Sequence, residues 1–220
     1  MIKQRGRMRI RTIAAVSGLI SLAACQTPNP VANQATRVAP AIGRGGLAAV
    51  PACPSDVTAV LSSGPAVHFK GPTEDDAAVC VQTSNGKNYR YYLNFWGDGR
   101  FRHGTPDQRH ALRSVVEGPV GTEVKFDLPR RSHLALWKSA SVTHVANAHL
   151  VVGGRTRPTV KLRIVKHDSL GRADVTAESL YWIDGLTGIP LKKQVVTRMA
   201  DGDVERTTTW RVVALHPTAS

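Results

Sequence analysis

The chain has 220 residues, of which 42% are hydrophobic and 20% are charged, a composition that excludes disorder throughout. This length accommodates one domain of ordinary size with short appendages. The formal net charge of +13 indicates an anionic partner such as a membrane surface, an acidic polymer or nucleic acid.

The first 24 residues have the pattern of a cleaved signal peptide. Five cations and no acid lie in residues 1–12, and residues 13–24, IAAVSGLISLAA, carry no charge. Twelve helical residues span about 18 Å, well short of the roughly 30 Å hydrocarbon core of a membrane, so we do not expect a transmembrane anchor. The length and the small residues at the end fit an export signal. Cleavage would take those five charges from the +13 and leave +8.

The residues Leu22-Ala23-Ala24-Cys25 resemble the lipobox of bacterial lipoproteins. In that family the cysteine is acylated and becomes the first residue, so the resemblance implies a covalent lipid on Cys25. We predict no cofactor. Several acyl chains on one residue suffice for stable anchoring, where one chain is marginal. Gln26 follows in place of Asp, which in such lipoproteins implies the periplasmic face of the outer membrane. The alternative is an ordinary signal peptide with a chance cysteine.

Cys53 and Cys80 remain as an even pair if Cys25 carries lipid. Because the periplasm is oxidising, we predict a disulfide between them, which the chain-entropy model values at roughly 3.5 kcal/mol. Two free thiols or a two-ligand metal site are the alternatives. We expect no metal, since no second cysteine pair or His pair at ligand spacing accompanies them.

Residues 26–50 are rich in Pro, Ala, Gly and Asn and contain no aromatic residue or acid. This composition predicts a flexible tether. The expected organisation is therefore a signal peptide at 1–24, a lipidated tether at 25–50 and a single β-rich periplasmic domain at 51–217.

A short helix is predicted at the start of the domain. Ser55 caps it, it runs to Leu61, and Gly64-Pro65 ends it. A short strand at 66–70 follows. Asn85-Gly86 then predicts a tight hairpin, because it separates the β-rich runs AAVCVQT and NYRYYLNFW. Gly97-Asp98-Gly99 should end the second of these strands.

A longer helix is predicted at Pro106–Glu117. Thr105 is its N-cap, Gln108 completes a capping box, and Gly118 ends it. Three apolar residues share one face of this helix: Leu112, Val115 and Val116.

Five consecutive strands are predicted after about residue 141. Val160, Leu162 and Ile164 alternate with Lys161 and Arg163, so one face of the sheet is apolar and the other is exposed to solvent. The predicted fold class is mainly β, a curved antiparallel meander of half-barrel or open barrel-like form with one or two short helices. The helix at 106–117 is the expected cover of its apolar face. The five runs are SVTHVANAHLVV, TVKLRIVKH, DVTAESLYWI, IPLKKQVVTRM and VERTTTWRVVAL.

No catalytic residue is predicted. Ser84-Asn85-Gly86-Lys87 matches the S-x-x-K nucleophile motif, but that motif needs a helical turn and Asn-Gly predicts a hairpin. Asp107 and His110, which follow His103, could meet on one helical face. We interpret them as a cap-region ion pair, because no nucleophile or metal set accompanies them. His144 and His149 should lie on opposite faces of a strand.

Two clusters are candidate binding surfaces. Within eight residues lie Tyr89, Tyr91, Tyr92, Phe95 and Trp96, with Arg90, Arg100 and Arg102 around them. They form either a stacking platform for a glycan or lipid headgroup, or a central strand covered on both faces; we favour the strand. The second cluster is a basic stripe on the solvent-exposed face, which either binds an anionic envelope polymer or is simply a solvated surface. Its residues are Lys161, Arg163, Lys166, Lys192, Lys193 and Arg198.

The segment YWIDGLTGIPLKKQVVTRMADGDVERTTTWRVV, at 181–213, is similar to a strand and turn pattern of envelope lipoproteins. An aromatic-Asp turn, a Thr-Gly-x-Pro step and an x-Asp-Gly hairpin carry the likeness. It resembles LolA/LolB-like half-barrels, which hold acyl chains in an apolar concavity, and lipoproteins found beside exopolysaccharide and capsule export genes. Lys193 or Arg206 is expected on the inner face here, a departure from a purely apolar pocket.

The leading hypothesis is an outer-membrane lipoprotein with a non-catalytic binding or assembly-support role in the cell envelope. The alternative is a LolA/LolB-like carrier or chaperone of lipids or lipoproteins, and a glycan or cell-wall hydrolase is a third class. The expected partners are the membrane, through the lipid, and an anionic envelope polymer or a protein assembly. We expect no nucleic-acid partner, because the chain is expected to be exported.

Overall fold

A computed structural model describes residues 53–99, 104–128, 137–168, 176–198 and 204–218. Within these ranges one open antiparallel sheet of eleven strands and one helix account for the regular structure, which confirms the predicted fold class. In chain order the elements are β1 Ser55–Leu61, β2 Ala66–Pro72, β3 Val79–Ser84, β4 Lys87–Tyr92, β5 Trp96–Gly99, α1 Pro106–Glu117, β6 Glu123–Asp127, β7 Trp137–Val152, β8 Arg155–Asp168, β9 Thr176–Asp184, β10 Pro190–Arg198 and β11 Val204–Pro217.

The sheet is a meander joined in its middle by the first and last strands. The strand order is β5-β4-β3-β2-β1-β11-β10-β9-β8-β7-β6, so β5 and β6 are the two edges. Helix α1 lies between these edges in sequence and packs against β6 and β7. Residues of β4 and β5 share one core cluster with residues of β7 and β8, although these strands are far apart in the sheet. The sheet must therefore curve strongly.

Helix α1 forms as its local chemistry predicts. The Thr105 hydroxyl accepts from the Gln108 amide, and the Gln108 side chain accepts from the Thr105 amide, which completes the capping box. The predicted apolar face is buried against β7 and β8, where Val142, Val160 and Leu162 are fully enclosed. The helix thus covers apolar sheet residues as expected; its buried residues are Gln108, Leu112, Val115 and Val116.

A second cluster joins β1, β2 and β11 to the tip of the β7–β8 hairpin. Val152 packs with Phe69 and Val212, and the Gly153 amide donates to the Val213 carbonyl at 3.0 Å. The tip of the long hairpin therefore contacts β11. No helix in the described ranges is long and apolar enough to cross a bilayer.

Residues 55–61 form strand β1, so the predicted helix there is wrong. Val57, Ala59 and Leu61 alternate onto one face and pack in the second cluster. Strand β1 pairs with β2 on one side and β11 on the other, which satisfies its backbone along both edges. This pairing overrides the local cap signal of Ser55. Gly64, with φ of 104°, lies in the turn to β2.

The hairpin at Asn85-Gly86 is confirmed, with φ of 50° and 70° at its two central residues, as a type I′ turn requires. The strand that follows is shorter than predicted. It ends at Tyr92, because Leu93 and Asn94 both adopt positive φ and turn the chain back into β5. Asn tolerates this conformation well, whereas Leu93 supplies no local signal for it.

The predicted disulfide is present in the structure. Cys53, directly before β1, is bonded to Cys80 on β3, with a Cα–Cα distance of 5.2 Å. Both residues are buried. The predictions on residues 1–24, 25–50, Cys25, Arg100, Arg102 and His103 lie outside the described residues.

Candidate functional site

A cleft of about 320 Å³ opens between β1–β4 on one side and β9–β11 on the other. Gln82, Ser84, Asn94 and Lys193 contribute polar groups to it. The described lining contains no carboxylate, imidazole or thiol. Most of the lining is aliphatic or aromatic: Ala59, Leu61, Val67, Phe69, Tyr89, Tyr91, Phe95, Tyr181, Pro190, Trp210 and Val212.

Two contacts between opposite parts of the sheet bound this cleft. The rings of Phe95 and Tyr181 lie with centroids 6.1 Å apart, and both residues also touch the core under α1. Beside them, the Asn94 amide donates to the Gly188 carbonyl at 3.5 Å. The positive φ of Leu93 and Asn94 produces the turn that aims these groups inward. The β4–β5 turn therefore separates the cleft from the helix-side core.

Several polar side chains of the lining have partners within the protein. The Gln82 amide donates to the Asn94 carbonyl at 3.0 Å, and the Ser84 hydroxyl donates to the Ala66 carbonyl at 3.2 Å. The Lys193 ammonium lies over the Tyr181 ring, 5.4 Å from its centroid. The lining residues also carry the hydroxyls of Tyr89, Tyr91 and Tyr181, so the cleft presents both apolar and polar surface.

The predicted aromatic cluster is divided between two environments. Tyr89, Tyr91 and Phe95 line the cleft, whereas Tyr92 and Trp96 are buried in the core under α1. The Tyr92 hydroxyl donates to the Arg109 carbonyl at 3.1 Å, and Trp96 meets Phe126 edge to face. Strand β4 pairs with both β3 and β5, so it is a central strand.

Sequence reasoning missed two aromatic residues of the cleft, Tyr181 and Trp210. Both are cross-strand partners of Lys193, so the three side chains share one face of β9, β10 and β11. Alternation along each strand gives the face, but the register that aligns the three strands is not readable from the sequence. Of the two cations expected on the inner face, Lys193 is there; Arg206 pairs with Val196 on the opposite side.

The predicted basic stripe is not one surface. We call the face that carries Leu162 and Tyr181 the inner face and the opposite face the outer face. Strand pairing places Lys161, Arg163 and Lys192 on the outer face, with Leu180 and Trp182. Lys166 and Lys193 lie on the inner face, and the Arg198 side chain lies outside the described residues.

One cation of the outer face has an acidic partner, whereas two lysines of the inner face lie near each other. Arg163 forms an ion pair with Glu178 at 2.9 Å. On the inner face, burial lowers the pKa of Lys166 from its ordinary value, and the positive charge of Lys193 lowers it further.

Trp182 on the outer face lies beneath two ammonium groups. The Lys161 and Lys192 nitrogens are 4.8 and 4.6 Å from the centroid of its ring. Trp182 is buried, together with Leu180 and Val196, so these lysine stems cover a small apolar cluster. Burial lowers the pKa of Lys161, and the charges of Arg206 and Lys192 add to that effect.

The turn between β9 and β10 is fixed by a buried ion pair. The Asp184 carboxylate, which is fully enclosed, accepts from Arg157 Nε at 3.2 Å and Arg157 Nη2 at 2.7 Å. The Thr187 hydroxyl donates to the same carboxylate. The aromatic-Asp and Thr-Gly-x-Pro elements of segment 181–213 thus have a structural role beside the cleft.

The remaining titratable candidates do not converge on a site. Asp107 and His110 are exposed on α1. His144 is fully buried between the Gly118 carbonyl at 2.9 Å and the Asn147 side chain at 3.0 Å, whereas His149 is exposed. The prediction that they lie on opposite faces is wrong, because a β-bulge after His144 shifts the register and both pair with positions on one face of β8. Ser84 and Lys87 are paired across the hairpin and do not share a helical turn. Among the described residues, no group of three His, Cys, Asp or Glu side chains could hold a metal ion.

Comparison with known proteins gives one structural likeness. No protein-family model and no curated protein matches the chain. The structure is similar to that of the hypothetical lipoprotein YmcC from Escherichia coli K12, with 13% identity, a TM-score of 0.41, and coverage of 76% of this chain and 89% of that chain. A likeness with so low a TM-score supports no argument about function.

Proposed function

We propose that this chain is a lipoprotein of the outer membrane, anchored through acylated Cys25, whose β-rich domain binds the apolar part of an envelope amphiphile without catalysis. The lipobox and the basic, then apolar, residues before it support the anchor. The cleft supports the binding role, because ligand sites are concave and mostly apolar with few polar groups.

The observation that carries the proposal is the aliphatic and aromatic character of most residues in the lining. The Gln82 and Ser84 side chains donate to carbonyls of the protein itself. These two donors are already used within the protein, and an acyl or other apolar chain needs only the aliphatic and aromatic surface beside them. Lys193, at the Tyr181 ring, would then lie near an anionic end of the ligand.

The cleft volume favours one chain over several. Ligand sites generally span about 300 to 1,000 Å³, and this one, at about 320 Å³, is near the lower limit. It suits a single apolar segment better than a whole lipid with several chains. A LolA/LolB-like carrier is the second candidate, favoured by the same apolar lining, and it additionally requires that the ligand be released to an acceptor.

Titration with a stearate that carries an anthroyloxy fluorophore tests the binding role. We expect saturable enhancement of fluorescence, and a Kd at least tenfold weaker for Val67→Trp, which fills the cleft. Val151→Trp, at a position 70% exposed on the β7–β8 hairpin, is the matched control and should bind as the wild type does. Equal affinity of all three chains would contradict the proposal. A carrier would also move the labelled chain between vesicles faster than it moves unaided.

A further inference from the structure

The outer face carries a row of cations that the cleft does not use. Cross-strand pairing aligns Lys161 on β8, Trp182 on β9, Lys192 on β10 and Arg211 on β11. Neighbouring strands are about 4.8 Å apart, so this row spans about 14 Å of one sheet face. Arg206, also on the outer face, is close enough to Lys161 to repel it.

These cations have no acidic partner among the described residues. Ion pairs in the described ranges use Arg109 with Asp76, Lys125 with Glu123, Arg157 with Asp184 and Arg163 with Glu178. Like charges placed side by side without a compensating carboxylate disfavour the protein alone and favour a bound anion. The row is therefore not explained as a network of surface ion pairs.

The lysines of the row are also held in position. They come from β8 and β10, the two strands that flank β9, and their ammonium groups lie 4.8 and 4.6 Å from the Trp182 ring centroid, beside the apolar cluster of Leu180 and Val196. A cation that stacks on an indole loses less side-chain freedom when it then meets an anion. The groups stand on an open sheet face, so their complement is an extended anionic surface.

We propose that Lys161, Lys192 and Arg211 of this row, together with Arg206, dock the domain against the anionic phospholipid headgroups of a membrane surface. Each cation near such a surface contributes attraction that salt screens. The docking would hold the domain in one orientation, with the outer face of β8–β11 toward the headgroups. This inference goes beyond the cleft and does not depend on what the cleft binds.

Site-resolved lysine labelling tests the docking. The full chain, purified from membranes, is reconstituted in vesicles of phosphatidylethanolamine alone or with one-third phosphatidylglycerol, and acetylation by a water-soluble reagent is followed by mass spectrometry. We expect acetylation of Lys161 and Lys192 to fall at least fivefold in the anionic vesicles and to recover in high salt. Lys70 and Lys87, both exposed, are internal controls whose labelling should not change.

Charge reversal gives the matched comparison. Arg206→Glu with Arg211→Glu should abolish the protection of both lysines, whereas Arg90→Glu with Arg155→Glu, two exposed positions away from the row, should preserve it. If the variant with both charge reversals fails to fold, the double variant Arg206→Gln with Arg211→Gln tests the same prediction. Uniform protection of all four lysines, or protection that survives the change at 206 and 211, would overturn the docking. Protection by a soluble anionic polysaccharide but by neither vesicle would overturn it in favour of a glycan.

Discussion

The rings of Phe95 and Tyr181 meet from opposite parts of the curved sheet, with centroids 6.1 Å apart. Phe95 belongs to the core under α1 and Tyr181 packs against that core, yet both also line the cleft. The pair therefore separates the packed core under α1 from the solvent-accessible cleft. The location and size of the cleft depend on this contact.

Phe95→Ala should remove this ring contact and strongly destabilise the folded protein. Truncation of a buried Phe costs roughly 3–5 kcal/mol, because the lost contacts and the new cavity add. We expect urea unfolding to show this loss, together with weaker binding of the fluorescent stearate as the cleft loses its shape. Val151→Ala, at a 70% exposed position, should change the free energy of unfolding by less than about 0.5 kcal/mol. Equal unfolding midpoints for the two variants would contradict the role of Phe95.

The Arg157–Asp184 pair should show strong coupling. Arg157→Gln leaves the enclosed Asp184 carboxylate without its cation, which costs about 3–5 kcal/mol when a buried pair is broken. Adding Asp184→Asn should recover part of that loss, as measured by a double-mutant cycle in urea. The comparison is Arg163→Gln, at a pair whose arginine side chain is 40% exposed, where the cost should be smaller. Additive single and double changes would contradict the coupling.

The Cys53–Cys80 disulfide closes a sequence separation of 27 residues, which corresponds to about 3.5 kcal/mol in the chain-entropy model. Cys53→Ala with Cys80→Ala should therefore lower the free energy of unfolding by about that amount. The measurement is urea unfolding of the oxidised wild type against the double variant. If a thiol reagent labels Cys53 and Cys80 in the denatured, unreduced protein, the disulfide is absent in solution.

Lys166 should make stability rise with pH in the alkaline range. Its pKa is lowered in the folded chain by burial and by Lys193, so the unfolded chain binds more protons between the folded value and the ordinary value of 10.5. Stability increases with pH wherever the unfolded state holds more protons. Lys166→Met should raise stability at pH 7 and remove this slope, whereas Lys138→Met, at an exposed position on β7, should do neither. Urea unfolding at pH 7 and at pH 9.5 measures both effects.

The elements that the sequence predicts well are those whose signals are local. The I′ turn at Asn85-Gly86 and the capping box of α1 depend on residues within four positions of each other. The predicted helix at residues 55–61 is wrong because one partner of β1, strand β11, lies up to 160 residues away in sequence and leaves no local signal. A single cap signal at Ser55 could not outweigh pairing along both of its edges.

The candidate sites were harder to predict, for two different reasons. The cleft depends on register, which brings Tyr181 and Trp210 to Lys193 and which no local pattern specifies. The division of the basic stripe between the two faces of the sheet, in contrast, is readable from the sequence. Lys192 and Lys193 are adjacent and must alternate across the sheet, and Lys166 is an odd number of residues from Lys161 and Arg163.

The most direct test of the binding role is quenching of Trp210 by a brominated acyl chain. Trp210 lines the cleft, whereas Trp96 and Trp182 are buried elsewhere, so 9,10-dibromostearate in the cleft should quench Trp210 at short range. We predict saturable quenching in the wild type, unchanged in Trp137→Phe and reduced by more than half in Trp210→Phe. Quenching that does not saturate, or that is the same in Trp210→Phe as in the wild type, would contradict the claim that this cleft binds an apolar chain.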